Sequence, residues 1–64
     1  MKFKDFMDLY DNWNGVVKVN DDNLNTIARE RIGDLMWGGN HAKLFEMEVV
    51  AFGFYDDELC VRVK

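Results

Sequence analysis

The chain has 64 residues, 48% of them hydrophobic, a formal net charge of -4 and a single cysteine. That is one domain (residues 1–64) with a small core and limited intrinsic stability, hydrophobic enough to fold. The lone Cys60 rules out an internal disulfide and suits a reducing compartment, and the acidic balance disfavours direct binding of nucleic-acid phosphates.

Residues 2–11, KFKDFMDLYD, predict a helix. Phe3, Phe6, Met7 and Tyr10 recur at one helical face and are expected to pack on a sheet. The NWNG that follows is rich in residues that tolerate turns and stops the helix. Residues 15–20, GVVKVN, read as a short strand with Val17 and Val19 on one side. Asp21, Asp22 and Asn23 lack the alternating ligands, central glycine and terminal glutamate of a calcium loop. Asp22 or Asn23 is instead expected to cap a helix beginning at Leu24.

Residues 24–37, LNTIARERIGDLMW, carry a helical stripe in Leu24, Ile27, Ala28, Ile32, Leu35 and Met36, and a helix is the expectation. A strand over residues 25–32 is the alternative, because Thr26 and Gly33 weaken the stripe. Gly38, Gly39 and Asn40 end the segment, and residues 41–47 read as one helical turn or irregular chain.

The last stretch, VVAFGFYDDELCVRVK, predicts a hairpin turning at Asp56-Asp57. Pairing about that turn sets Tyr55 opposite Glu58, Phe54 opposite Leu59, Phe52 opposite Val61 and Val50 opposite Val63. The six apolar residues of the last three pairs form the expected core face. Ala51, Gly53 and Cys60 form the floor of the other face, with Tyr55, Glu58, Arg62 and Lys64 around it. The whole is α+β: an N-terminal helix packed on a small antiparallel sheet of three to four strands that ends in the C-terminal hairpin. If residues 24–37 form a strand, nothing in the chain is left to cover the small floor, and a partner or a second copy is implied.

The chain has no serine, and Cys60 with His41 is the one conceivable thiol dyad. A mid-strand Cys60 opposite Gly53 reads as a small filler, and His41 as a solvated loop residue. One His and one Cys do not make a zinc site, and no phosphate-loop or dinucleotide motif is present. No catalytic residue, metal or cofactor is expected. Trp13 and Trp37, each beside a turn, are expected to be buried anchors. No apolar run is long enough for a membrane span, and no signal peptide is read at the start. The eight Lys and Arg are scattered along the chain, with no basic run.

The stretches DLYDNWNGVVKVNDDNL and VVAFGFYDDELCVRVK resemble short uncharacterised proteins of Gram-positive bacteria and their phages. In size, acidity and element order the chain also resembles small anti-CRISPR inhibitors. That resemblance implies a non-enzymatic viral inhibitor, working in the cytoplasm of a bacterial host. Its partner would be a host protein or nucleoprotein complex, such as a CRISPR effector, blocked through its basic surface. The residues expected to make the contact are Tyr55, Asp56, Asp57 and Glu58 at the hairpin tip, with Arg62 and a second acidic patch at Asp21 and Asp22. The alternative is a homodimeric structural or regulatory protein that pairs through the small sheet face.

Overall fold

The computed structural model describes residues 1–10, 12–39 and 41–64. They form helix α1 (Phe3–Asp8), strands β1 (Val16–Asn20) and β2 (Thr26–Arg31), helices α2 (Ile32–Trp37) and α3 (Ala42–Phe45), and strands β3 (Val49–Tyr55) and β4 (Glu58–Val63). The strands make one sheet in the order β2-β1-β4-β3. The expected α+β class holds, but the sheet is mixed. β1 pairs antiparallel with β2 and parallel with β4, and β3 and β4 form an antiparallel hairpin.

The parallel step needs a crossover between β1 and β4, and β2, α2, α3 and β3 all lie within it. The core collects on one side of the sheet. Val17 and Val19 from β1 and Leu59, Val61 and Val63 from β4 are buried against Phe3 and Met7 of α1, Ile32 and Leu35 of α2, and Leu44 of α3. Phe3 stacks on Phe45 with ring centroids 6.1 Å apart, joining α1 to α3. The helices therefore share one face.

Residues 24–37 depart from the expected single helix. Their first half is β2, held by register pairs Lys18↔Arg29 and Val19↔Ala28, and only Ile32–Trp37 is helical. The reason is tertiary: β1 offers a full antiparallel edge, and the weak helical pattern around Thr26 does not compete with it. The predicted cap at Asp22 or Asn23 is replaced by a hairpin turn. Asp21 Oδ1 accepts hydrogen bonds from the backbone N–H of Asn23 and of Asn25, each at 2.9 Å, while Leu24 takes a positive φ of 65°. α1 is shorter than the predicted 2–11, and Asp11, like Asn40 in the predicted GGN stop, lies outside the described residues. The helical turn expected at 41–47 is α3.

The C-terminal hairpin keeps the predicted register at Tyr55↔Glu58, Phe54↔Leu59 and Phe52↔Val61. A bulge then intervenes, so Val49 and not Val50 faces Val63. The predicted core face is also only half buried. Leu59, Val61 and Val63 are enclosed, but Phe52 and Phe54 remain 63% and 58% exposed, and Val50 is exposed as well. β3 is the outermost strand, and α1 is too short to roof it. Trp13 and Trp37 are not buried anchors: they lie against each other at 6.0 Å near the surface, Trp37 being 80% exposed.

Candidate binding surface

Among the described residues no helix lies on the opposite face of the sheet. The register fixes its residues: Val16, Lys18 and Asn20 from β1, Arg29 and Arg31 from β2, Glu58, Cys60 and Arg62 from β4, and Ala51, Gly53 and Tyr55 from β3. Cations that are scattered in sequence are thus gathered in space, with Lys18 directly opposite Arg29. In a chain of net charge -4, this face carries Lys18, Arg29, Arg31 and Arg62 against Glu58.

Arg29 crosses β1 to reach Glu58. Its Nε and Nη2 donate to the two carboxylate oxygens at 2.8 Å each, a fork-on-fork pair that ties β2 to β4. Those hydrogen bonds, against some burial, hold the Glu58 carboxyl below the usual range, with Lys18 adding to the effect. They also push the Arg29 guanidinium further up. Glu58 is therefore a brace within the sheet, not a free acid at the hairpin tip.

Ala51, Gly53 and Cys60 floor a shallow cleft of about 200 Å³, walled by Tyr55, Leu24, Asn20 and Arg62. Tyr55 folds back along its own strand. A side chain placed on Gly53 would start 3.3 Å from its ring, so the glycine is what lets the ring lie down on the floor. Even so, Tyr55 stays 69% exposed. Cys60 Sγ donates weakly to the carbonyl of Glu58 at 3.8 Å. His41 belongs to the helical side: its Nε2 lies 2.8 Å from Glu30, whose register partner is the core residue Val17. His41 is thus a partly exposed loop residue, as expected, but one paired with a carboxylate, and it stands across the sheet from Cys60. Among the described residues no group of three or more His, Cys, Asp and Glu is arranged to hold a metal ion.

The seven predicted contact residues do not form one patch. Tyr55 and Arg62 line the cleft together. Asp56 and Asp57 are exposed at the adjoining hairpin tip, with φ of 52° and 64°. Asp21 and Asp22 lie at the other end of the sheet, because β1 runs parallel to β4 and Asn20 sits beside Arg62. Asp21 is occupied by its turn, leaving Asp22 as the outward acid there. Sequence reading missed Lys18, Arg31 and Leu24; alternation along GVVKVN already put Lys18 off the core side, but its cationic neighbours came only with the pairing to β2.

A second exposed feature is the rim formed by β3. Phe6 of α1 touches Phe52 with ring centroids 4.9 Å apart, and Tyr10 touches Phe54 at 6.0 Å. These contacts cover one edge of each phenylalanine and leave the rest open. Among the described residues only the start of the outer edge of β3 is engaged: Lys2 bridges to Glu48, and the Val49 N–H donates to the Met1 carbonyl at 2.8 Å. Lys2 and Lys4 both reach Glu46 there, at 2.6 and 3.1 Å, and hold its carboxyl below the usual range.

Fold and surface together define a small two-layer α+β domain with helices on one face of a mixed four-stranded sheet and the other face open. No helix among the described residues is long and apolar enough to cross a membrane. Compared with protein-family models, curated proteins and solved structures, the chain finds no match.

Proposed function

We propose that the chain is a non-enzymatic protein-binding module and that the open sheet face is its working surface. The observation that carries this reading is the cleft on the uncovered face, where Tyr55 and Arg62 stand over a floor of Ala51, Gly53 and Cys60. Exposed Tyr and Arg around a small apolar depression are the side chains that dominate binding energy at protein interfaces. A knob from the partner would fill the depression, its carboxylates would meet Arg62, Lys18 and Arg31, and its lysines or arginines would meet Asp56 and Asp57. Mixed charge of this kind suits a protein surface better than a phosphate backbone.

The role that fits the resemblance noted above is that of an inhibitor, a phage or mobile-element product that occupies the working surface of a bacterial defence complex in the host cytoplasm. A module with an interface and no chemistry of its own is sufficient for that role. The test is a pull-down from bacterial lysate with the tagged chain and with the double variant Tyr55→Ala, Arg62→Glu. Stoichiometric recovery of one complex by the unaltered chain, lost in the variant and weakened at moderate salt, supports the reading. Equal recovery by both overturns the assignment of the surface.

A further inference from the structure

The two free edges of the sheet are built differently. β2 carries Arg29, Glu30 and Arg31 along its edge, the charged pattern that keeps an edge strand from pairing with another chain. β3 reads VVAFGFY, with no charge and no proline. Its turn shows which of its backbone groups are free. Asp56 and Asp57 both have positive φ, the signature of a two-residue type I′ hairpin, which closes on a hydrogen-bonded pair at Tyr55↔Glu58. Pairs alternate from there. Gly53↔Cys60 and Ala51↔Arg62 bond inward, and Phe52 and Phe54 direct their N–H and C=O groups to the outer edge. At the far end Met1 and Lys2 already occupy the edge beside Val49 and Glu48. The open stretch therefore runs from Val50 to Asp56, and its midpoint is Gly53.

We infer that this edge is a self-association site: β3 pairs antiparallel with β3 of a second copy about a two-fold axis at Gly53, making one continuous eight-stranded sheet. In this register Phe52 of each copy faces Phe54 of the other, and the two residues exchange their outward hydrogen bonds. The four phenylalanine rings lie on the helical side of the sheet, beside Phe6 and Tyr10 of each copy, and cover one another. Tyr55 of one copy lies beside Ala51 of the other. Charge agrees with this register. Asp56 of one copy arrives at the end of the other that carries the Met1 amine, Lys2 and Lys4, whose near carboxylates are Glu46, Glu48 and Asp5. A partner of different sequence is not needed, since an antiparallel edge centred on a glycine complements itself.

The area sets the strength. The exposed fractions of Phe52, Phe54 and Tyr55, on rings that bury roughly 200 Å² each, give about 350 Å² per copy before the backbone and Val50 are added. Two copies then approach roughly 1,000 Å², the low end for a specific interface. A dimer of micromolar affinity is expected. The interface draws on the edge of β3 and the helical side of the sheet and shares Tyr55, Ala51 and Asp56 with the open face and hairpin tip; a double lysine variant at Phe52 and Phe54 changes none of these three, so its outcome is separate from that of the open-face reading.

The experiment is sedimentation velocity of the full chain from 1 to 200 µM, with two variants. The unaltered chain should shift from monomer to dimer across this range. Phe52→Lys with Phe54→Lys, at two positions already exposed, should keep the circular dichroism spectrum and stay monomeric throughout. The second variant, Gly53→Cys on a Cys60→Ala background, places two sulfurs at a non-hydrogen-bonded antiparallel pair, within disulfide reach. Under mild oxidation it should become a covalent dimer, while Arg31→Cys on the same background, on the guarded edge, should not. A chain that stays monomeric to 200 µM overturns the inference. So does a dimer that survives both lysines, or one in which positions 31 and 53 cross-link equally.

Discussion

Replacing Asp56-Asp57 by Asn-Gly should make the domain more stable and at the same time a poorer binder. Both aspartates sit at positive φ, 52° and 64°. An L residue pays roughly 1–2 kcal/mol in that region, aspartate less than most because its short side chain tolerates it. Glycine at the second position removes that cost, and asparagine at the first is the residue the turn prefers. Part of the gain returns as the greater freedom of glycine in the unfolded chain, about 0.4–1 kcal/mol. Relief of two adjacent carboxylates adds to the favourable side, and the net expectation is about +1 kcal/mol. For a chain of 64 residues the unfolding entropy is roughly 130 cal/mol/K near the midpoint, so the melting temperature should rise by about 7 °C. Thermal melts followed by circular dichroism and urea titrations read this directly. Binding to a captured partner should weaken in the same variant, since both tip charges are gone. A melting temperature equal to or below that of the unaltered chain would refute the turn geometry, and unchanged affinity alongside a raised melting temperature would refute a role for the acids.

The other expectations are narrower. Leu59→Ala, at a site 1% exposed beside Val17, should cost about 3 kcal/mol by cavity formation, a large share of the roughly 3–10 kcal/mol available to a domain this size, and urea unfolding will show a midpoint near zero denaturant or a marked fall. Gly53→Val should leave the fold intact but displace the Tyr55 ring from the cleft floor, read as a change in the tyrosine signals of near-ultraviolet circular dichroism or NMR. The carboxyls of Glu46, Glu48 and Glu58 are all held below their ordinary value of 4.5, by Lys2 and Lys4, by the Met1 amine, and by Arg29 respectively. Their stabilisation is complete above that ordinary value and is lost as pH falls through the lowered ones, so the melting temperature should be level between pH 7 and about 5 and drop below about 4.5. Glu58→Gln should flatten part of that drop; an unchanged acid profile would show that the pairs do not persist in solution. Trp37→Ala, at an 80% exposed ring, should change stability by no more than about 0.5 kcal/mol.

The sequence by itself determined what is local. Alternation in GVVKVN and ELCVRV placed Val17, Val19, Leu59, Val61 and Val63 on the core side, because a strand reverses its side chains at every residue. The turn at Asp56-Asp57 and the register down to Phe52↔Val61 followed from the same period. The helical spacing of Phe3 and Met7 fixed the inward side of α1. What only tertiary structure decided is non-local. Residues 26–31 carry a pattern that both a helix and a strand can use, and the antiparallel edge of β1 chose the strand. The parallel pairing of β1 with β4 has no local signal, yet it separates Asp21-Asp22 from Asp56-Asp57 and brings Lys18, Arg29 and Arg62 to one face. Burial was legible as a pattern and not as an amount. Phe52 alternates as a core residue should, but it sits on the last strand of a sheet wider than its roof, and a period in the sequence carries no information about where the sheet ends.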